Sequence, residues 1–239
     1  MMMNKIILLN IFILSIIIGE AQINSAKITF ERKTNLYKKY KDNNVEDWMK
    51  EEDKIKIDFF ELFVTDTFSL FKAQESDLRE QMSWATSKNV VYQDFKLKKR
   101  YTIKSIWQEE IHMLDTLWYR NWQITESSRK IAGYQCRKAI WKPNDSTRIY
   151  AWFSYDITPS TGPESFNGLP GTILGLATED GGVVYFAKKV DILKPEASLF
   201  VFPKKKKLRN EKELIAELTK QYGKEKWFKR MLGNMFGLW

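Results

Sequence analysis

The chain has 239 residues, a formal net charge of +9, one cysteine and one histidine. A single cysteine excludes an intramolecular disulfide, and one histidine beside it would leave a zinc or iron site built almost wholly from carboxylates, at no recognisable ligand spacing. No cofactor is expected, and stability must come from a core that nine tryptophans, ten tyrosines and fifteen phenylalanines can fill.

Residues 1–21 read as an export signal. Lys5 supplies the positive start, Ile6–Ile18 is apolar, and Gly19 and Ala21 stand where a signal peptidase reads small residues. The run is short for a bilayer span, so cleavage before Gln22 is expected, with a periplasmic or envelope-associated mature chain. From Lys27 the pattern is that of strands. Ile28, Phe30 and Arg32 alternate against Thr29, Glu31 and Lys33. The acidic segment 43–54 suits a short helix or lid, and "KIKIDFFELFVTD" with "SLFKAQES" reads as a strand pair turning at Asp66. Segments 89–107 and 109–124 are rich in β-branched and aromatic residues. "KIAGYQCRKAIWKPND" suggests a strand with a bulge at Gly133, ending at Pro143, and "STRIYAWFSYDI" a strand covered on both faces. Gly181-Gly182 marks a turn before a last strand, "VVYFAKKVDILKP". These elements predict a mainly β fold: a single curved antiparallel sheet or half-open β-barrel with short helices and a C-terminal amphipathic helix.

The domain reading is therefore a β-rich body over 22–203 and a basic helical tail over 204–239. The tail carries eleven Lys and Arg against four Glu. It opens on a capping pattern, Asn210 with Glu213. Further on, an apolar face runs through Trp227, Phe228, Met231, Leu232, Met235, Phe236 and Trp239, with Lys224, Lys226, Lys229 and Arg230 off it. Such a helix can plug its own sheet, or it can contact an anionic membrane surface or a partner through Trp227, Phe228, Lys229, Arg230, Met231 and Phe236. Nucleic acid is not an expected partner, since no binding module is present.

"NWQITESSRKIAGYQCRKAIW" followed by "AWFSYDITPSTGPESFNGLPGTILGL" resembles the bacterial GLPGLI family, named for the peptide that stands here as Gly168-Leu169-Pro170-Gly171-Thr172-Ile173. The resemblance covers roughly Trp122–Ile192. Its anchors are Trp122 and Ile124, Gly133, Tyr134, Cys136, Lys138 and Ala139, Ala151 and Trp152, Gly162 and Pro163, and the glycine–proline peptide, with Thr172 in place of the usual leucine. The family is exported and has no established activity, so the resemblance implies kinship and export without naming a reaction. The peptide itself is stiff: Pro170 fixes its own φ and pushes Leu169 to an extended conformation, between two glycines free to take positive φ.

Catalysis finds little to stand on. No G-x-S-x-G elbow occurs, Cys136 and His112 are the sole thiol–imidazole pair, Asp156 and Glu164 flank the stiff loop as a conceivable carboxylate pair, and Glu109 and Glu110 must point to opposite faces of a strand. The expected role is that of an exported non-enzymatic binding protein. In one version Trp152, Phe153, Leu169, Pro170, Ile173, Leu174 and Leu176 line a groove for a lipid or other apolar ligand. In the other the chain is an interaction subunit of an outer-membrane transporter or secretion assembly, with no small ligand.

Overall fold

The computed structural model describes residues 22–40, 49–75, 82–106, 109–203 and 207–236. Residues 1–21, expected to be an export signal, and residues 43–48 of the acidic segment lie outside them, and Glu51–Asp53 of that segment forms a 3₁₀ turn. Twelve strands make one sheet: β1 Ala26–Asn35, β2 Ile55–Val64, β3 Phe68–Ala73, β4 Val90–Asp94, β5 Lys99–Ile106, β6 Glu109–Thr116, β7 Gln123–Ile131, β8 Tyr134–Asn144, β9 Thr147–Ser154, β10 Thr172–Thr178, β11 Val183–Asp191 and β12 Leu208–Arg209. Their order is β12-β6-β5-β4-β3-β2-β1-β11-β10-β9-β8-β7. All pairings are antiparallel except that of β12 with β6. Two meanders thus run outward from β1, which pairs with β2 on one side and with β11 on the other.

The connection between the meanders dictates the curvature. Residues 117–122 carry the chain from β6, near one edge, to β7 at the other. On a flat sheet those strands would lie about 48 Å apart at ~4.8 Å per strand. A six-residue link reaches only about 25 Å when fully extended. The sheet must therefore curl until its ends approach each other, and Trp118 of the link rests edge-on against Trp141 of β8, ring centroids 5.3 Å apart. The curl gives the sheet an inner face where both meanders pack. Ile28, Phe30, Phe60, Leu62 and Phe71 from one side meet Ala151, Phe153, Ile173 and Leu176 from the other in a single core cluster.

Two sequence expectations are corrected in β8. Gly133 sits with Ala132 at the tip of the β7–β8 hairpin, both at positive φ, and is no bulge within a strand. The strand runs on through Pro143 to Asn144. Pro143 lies where the β8–β9 register shifts, a place where the missing N–H costs no ladder bond.

The C-terminal part wraps around an edge of the sheet. After β11 the chain crosses the outer face, where Phe200 stacks on Phe68 and Phe202 lies flat on Tyr101 at 5.3 Å. It then joins the edge as β12 and turns onto the inner face as α2 (Glu211–Tyr222) and α3 (Phe228–Phe236), which follow the short α1 (Leu36–Tyr40) after β1. Asn210 caps α2 by accepting from the backbone N–H groups of Lys212 and Glu213. The Asn210 amide in turn donates to Asp115 of β6 at 2.8 Å. Leu214, Leu218 and Phe228 close over Met113 in a small cluster of their own. The amphipathic face therefore docks on its own sheet.

Candidate functional site

The stiff loop, residues 155–171, leaves β9 and lies across the inner face before returning as β10. Its entrance is held by Ile23, whose N–H donates to the Asp156 carbonyl at 2.8 Å and whose carbonyl accepts from Thr158 at 2.9 Å. Its middle bonds to the opposite meander. Gln93 of β4 donates to Thr161, the Thr161 hydroxyl donates to Ser69 of β3, and Asn167 donates to the side-chain carbonyl of Gln93, all at 3.0–3.1 Å. Its tip meets the link between meanders: Arg120 donates to the Ser165 carbonyl and the Trp122 indole to the Asn167 carbonyl, each at 2.8 Å. Phe166 is 1 % exposed and lies against the rings of Trp122 and Trp141. The loop is a polar-backed plug that ties both halves of the curled sheet together.

The glycines of the motif make this close approach feasible. Gly168 has φ +97°, and a Cβ there would sit 2.9 Å from the Arg120 carbonyl oxygen. Gly171 has φ +151°, and a Cβ would lie 2.0 Å from the Ser154 carbonyl oxygen. Thr172 is fully buried and donates its hydroxyl to the Pro159 carbonyl at 2.7 Å.

Beneath the plug lies a buried ionic network. Arg32 of β1 contacts Asp58 of β2 at 2.6 Å, and Lys56 reaches the other oxygen of that carboxylate at 3.2 Å. Glu164 of the loop, itself at φ +57°, accepts from the Tyr185 hydroxyl at 2.9 Å and from the Asn89 amide at 3.0 Å. Arg32 also donates to the Tyr185 hydroxyl and the Ser87 carbonyl, and lies over the Phe60 ring. Burial alone would lower the Arg32 pKa; Tyr185, Asp58 and Glu164 outweigh it and hold the guanidinium above its ordinary value. Burial keeps the Tyr185 hydroxyl well above its ordinary range, so it stays a neutral donor. Both oxygens of Glu164 are thus engaged, one by Tyr185 and one by Asn89.

The thiol is equally withdrawn. Cys136 is 0 % exposed, and burial, reinforced by Asp156, pushes it up to about 12. His112 belongs to a different cluster, with its Nδ1 2.6 Å from the Tyr101 hydroxyl. The raised thiol has a measurable consequence. A group whose pKa is higher folded than unfolded contributes stability below its unfolded pKa and loses it as pH rises through the folded one. Urea unfolding at pH 8.5 and pH 11 should therefore show the advantage of wild type over Cys136→Ala shrinking with pH, by about 2.5 kcal/mol. The lowered cations Lys39 and Lys104 act in the opposite direction and cancel in this difference.

The outer face is built differently. Along β2 the inward positions are Lys56, Asp58, Phe60 and Leu62, while Ile55, Ile57 and Phe59 point outward, 52 %, 48 % and 46 % exposed. Beside them a cleft of about 400 Å³ is lined by Ile55, Val184 and Phe186, with Lys33, Lys188 and Glu31.

Residues 141–175, from Trp141 of β8 through the loop into β10, match the model of a family described as "Protein of unknown function (Porph_ging)". No protein of curated function matches the chain. Among solved structures, two crystal forms of PNGF-II superpose with TM-scores of 0.54 and 0.55 at 17 % and 16 % identity. They cover 79 % and 80 % of this chain, which spans only 31 % and 32 % of theirs, and the likeness is one of fold. An uncharacterized conserved protein from Thermus thermophilus matches at TM-score 0.41 and 7 % identity over 79 % of this chain and 91 % of its own. The MucA/MucB complex of Pseudomonas aeruginosa matches at 0.37 and 12 %, over 77 % and 57 % respectively.

The residues expected to line an apolar groove are placed as follows. Phe153, Ile173, Leu174 and Leu176 are 0 % exposed and Leu169 2 %, all within the main core cluster. Trp152 faces outward, half-buried between Phe186 and the Arg129 guanidinium, and Pro170 is exposed at the turn. The structure thus joins five of the seven, as packing between the meanders. Of the tail residues, Phe228 is buried against Met113, Met231 and Phe236 are half-buried, and Trp227 and Lys229 are exposed. Arg230 lies in α3, with its side chain outside what is described, and no helix among the described residues is long and apolar enough to cross a membrane. Sequence reasoning missed the Arg32–Asp58–Glu164 network and the outward row on β2. The signal for both was in "KIKIDFFELFV", where charges share an alternation with Phe60, Leu62 and Val64.

Proposed function

We propose that the chain is an exported, non-enzymatic binding protein of the cell envelope, kin to the GLPGLI proteins, whose ligand is another protein docked on the outer face at β2. One observation carries this reading: Ile55, Ile57 and Phe59 form an outward apolar row on a strand whose inward positions hold Lys56 and Asp58. Single exposed apolar side chains are ordinary, whereas a contiguous row beside a cleft marks a contact surface. Lys33 and Lys188 rim that cleft and share the single carboxylate of Glu31, each at 3.5 Å, which leaves one net positive charge, so a partner with an apolar centre and an acidic margin fits best. Apolar cargo fits less well, because the side chains that would hold it serve as core.

Ile57→Asp tests the reading. It should leave stability within about 0.5 kcal/mol, as exposed substitutions do. A photo-crosslinker at position 59 should give one discrete adduct in the native envelope, and Ile57→Asp should abolish it. An adduct that persists unchanged in the Ile57→Asp background would overturn the proposal, as would a bound lipid mass on the purified chain with no protein adduct.

A further inference from the structure

A different cavity, of about 200 Å³, opens at the inner face between the loop tip and the C-terminal helices. Its walls carry three cations, Arg100, Lys104 and Arg120, and two acids, Glu164 and Glu211, with Trp118 and Phe236 among the apolar lining. The acids are already committed. Glu211 takes Arg100 at 2.8 Å, and Glu164 faces Tyr185 and Asn89. Among the described residues no carboxylate lies within ion-pair distance of Lys104 or Arg120.

Arg120 is 7 % exposed. Its guanidinium is stacked at 3.9 Å over Phe166 and 4.9 Å from the Trp118 ring, and it donates once, to the Ser165 carbonyl. Stacking satisfies the faces of a guanidinium and leaves its edge wanting an acceptor, and the buried Nε groups of Arg120 and Arg100 have no partner among the described residues. Lys104 donates to the Met235 carbonyl near the end of α3 at 2.7 Å, which compensates its charge only in part. Burial, with Arg100 adding to it, pushes Arg120 down to about 9, and burial lowers Lys104 as well. Glu164 and Glu211 act on Lys104 only from beyond ion-pair distance, so two cations in a half-open site with no carboxylate paired to them are costly unless an anion completes them.

We propose that this pocket binds a small organic carboxylate, with Arg120 and Lys104 as its counter-charges and Trp118 and Phe236 against its apolar body. The volume lies below the ~300 Å³ at which drug-sized ligands are usually held, so the ligand is a compact one. A planar carboxylate suits the fork geometry of arginine. The site lies on the inner face and does not depend on the partner-docking reading of the outer one.

The test is isothermal titration calorimetry on the full mature chain with benzoate as probe. Benzamide serves as the neutral analogue, and inorganic phosphate as an anion without an apolar body. Benzoate should bind saturably, with benzamide and phosphate at least tenfold weaker. Lys104→Met should weaken benzoate at least tenfold and leave the melting temperature near that of wild type. Arg120→Lys, which keeps the charge and loses the fork, should also weaken it. Three outcomes overturn the proposal: no saturable heat with benzoate, phosphate binding as tightly as benzoate, or benzoate affinity unchanged in Lys104→Met.

Discussion

Replacing Arg32 by methionine is expected to cost about 3–5 kcal/mol of unfolding free energy, the range found when one partner of a buried ion pair is removed. The size follows from what remains. Asp58 keeps Lys56 at 3.2 Å but loses its 2.6 Å contact, and Glu164 loses the cation 4.0 Å away while staying 5 % exposed. Adding Asp58→Asn to Arg32→Met should restore part of the loss, because an amide in that place no longer buries an under-compensated charge. Urea unfolding of the two variants decides the matter. A loss below about 1 kcal/mol for Arg32→Met, as for an ordinary surface ion pair, would show that water replaces the guanidinium.

Gly171→Ala should be of comparable severity, about 3–5 kcal/mol, by overpacking together with backbone strain. The added Cβ would stand 2.0 Å from the Ser154 carbonyl oxygen, a backbone atom of the neighbouring strand that cannot rotate away. Gly181→Ala is the control. Its φ is +69°, but nothing lies within 4 Å of the new methyl, so only the left-handed backbone term of about 1 kcal/mol should appear. Thermal melts followed by circular dichroism would separate the two. Equal losses would mean that conformation, and not the fit of the plug between strands, is what the motif's glycine supplies.

Much of the fold was legible because its strands are bounded by local signals. The β2–β3 hairpin at Asp66, the turn at Gly181-Gly182 and the cap at Asn210 all follow from residues a few positions apart. Curvature was legible only as a class, since the length of the 117–122 link constrains the sheet once the strand order is known, and pairings across 26 to 153 residues set that order. The inward charges of β2 were readable in principle. Two apolar alternations of equal length meet at Phe59-Phe60, Ile55, Ile57, Phe59 and Phe60, Leu62, Val64, and once the second is known to face the core it carries Lys56 and Asp58 to the same side. The role of the glycine–proline loop was less accessible. Ile173, Leu174 and Leu176 have the same composition whether they line a groove or fill a core, and only the opposite meander, with Phe60, Phe71 and Val91 in the same cluster, decides between these.

The central strand also bears on how the chain reaches this state. One side of β1 is satisfied early, by β2, which follows it directly. Its other side, from Lys27 to Thr34, is completed only by Val183–Asp191, near the far end of the body. Until that segment arrives, β1 presents a row of unpaired amides and carbonyls beside Ile28 and Phe30, a template on which another chain could align. Closing so long a loop is entropically slow. The nascent protein is thus most vulnerable to self-association in the interval between making its middle strand and making its last long one, and dilution or a holding chaperone should act there.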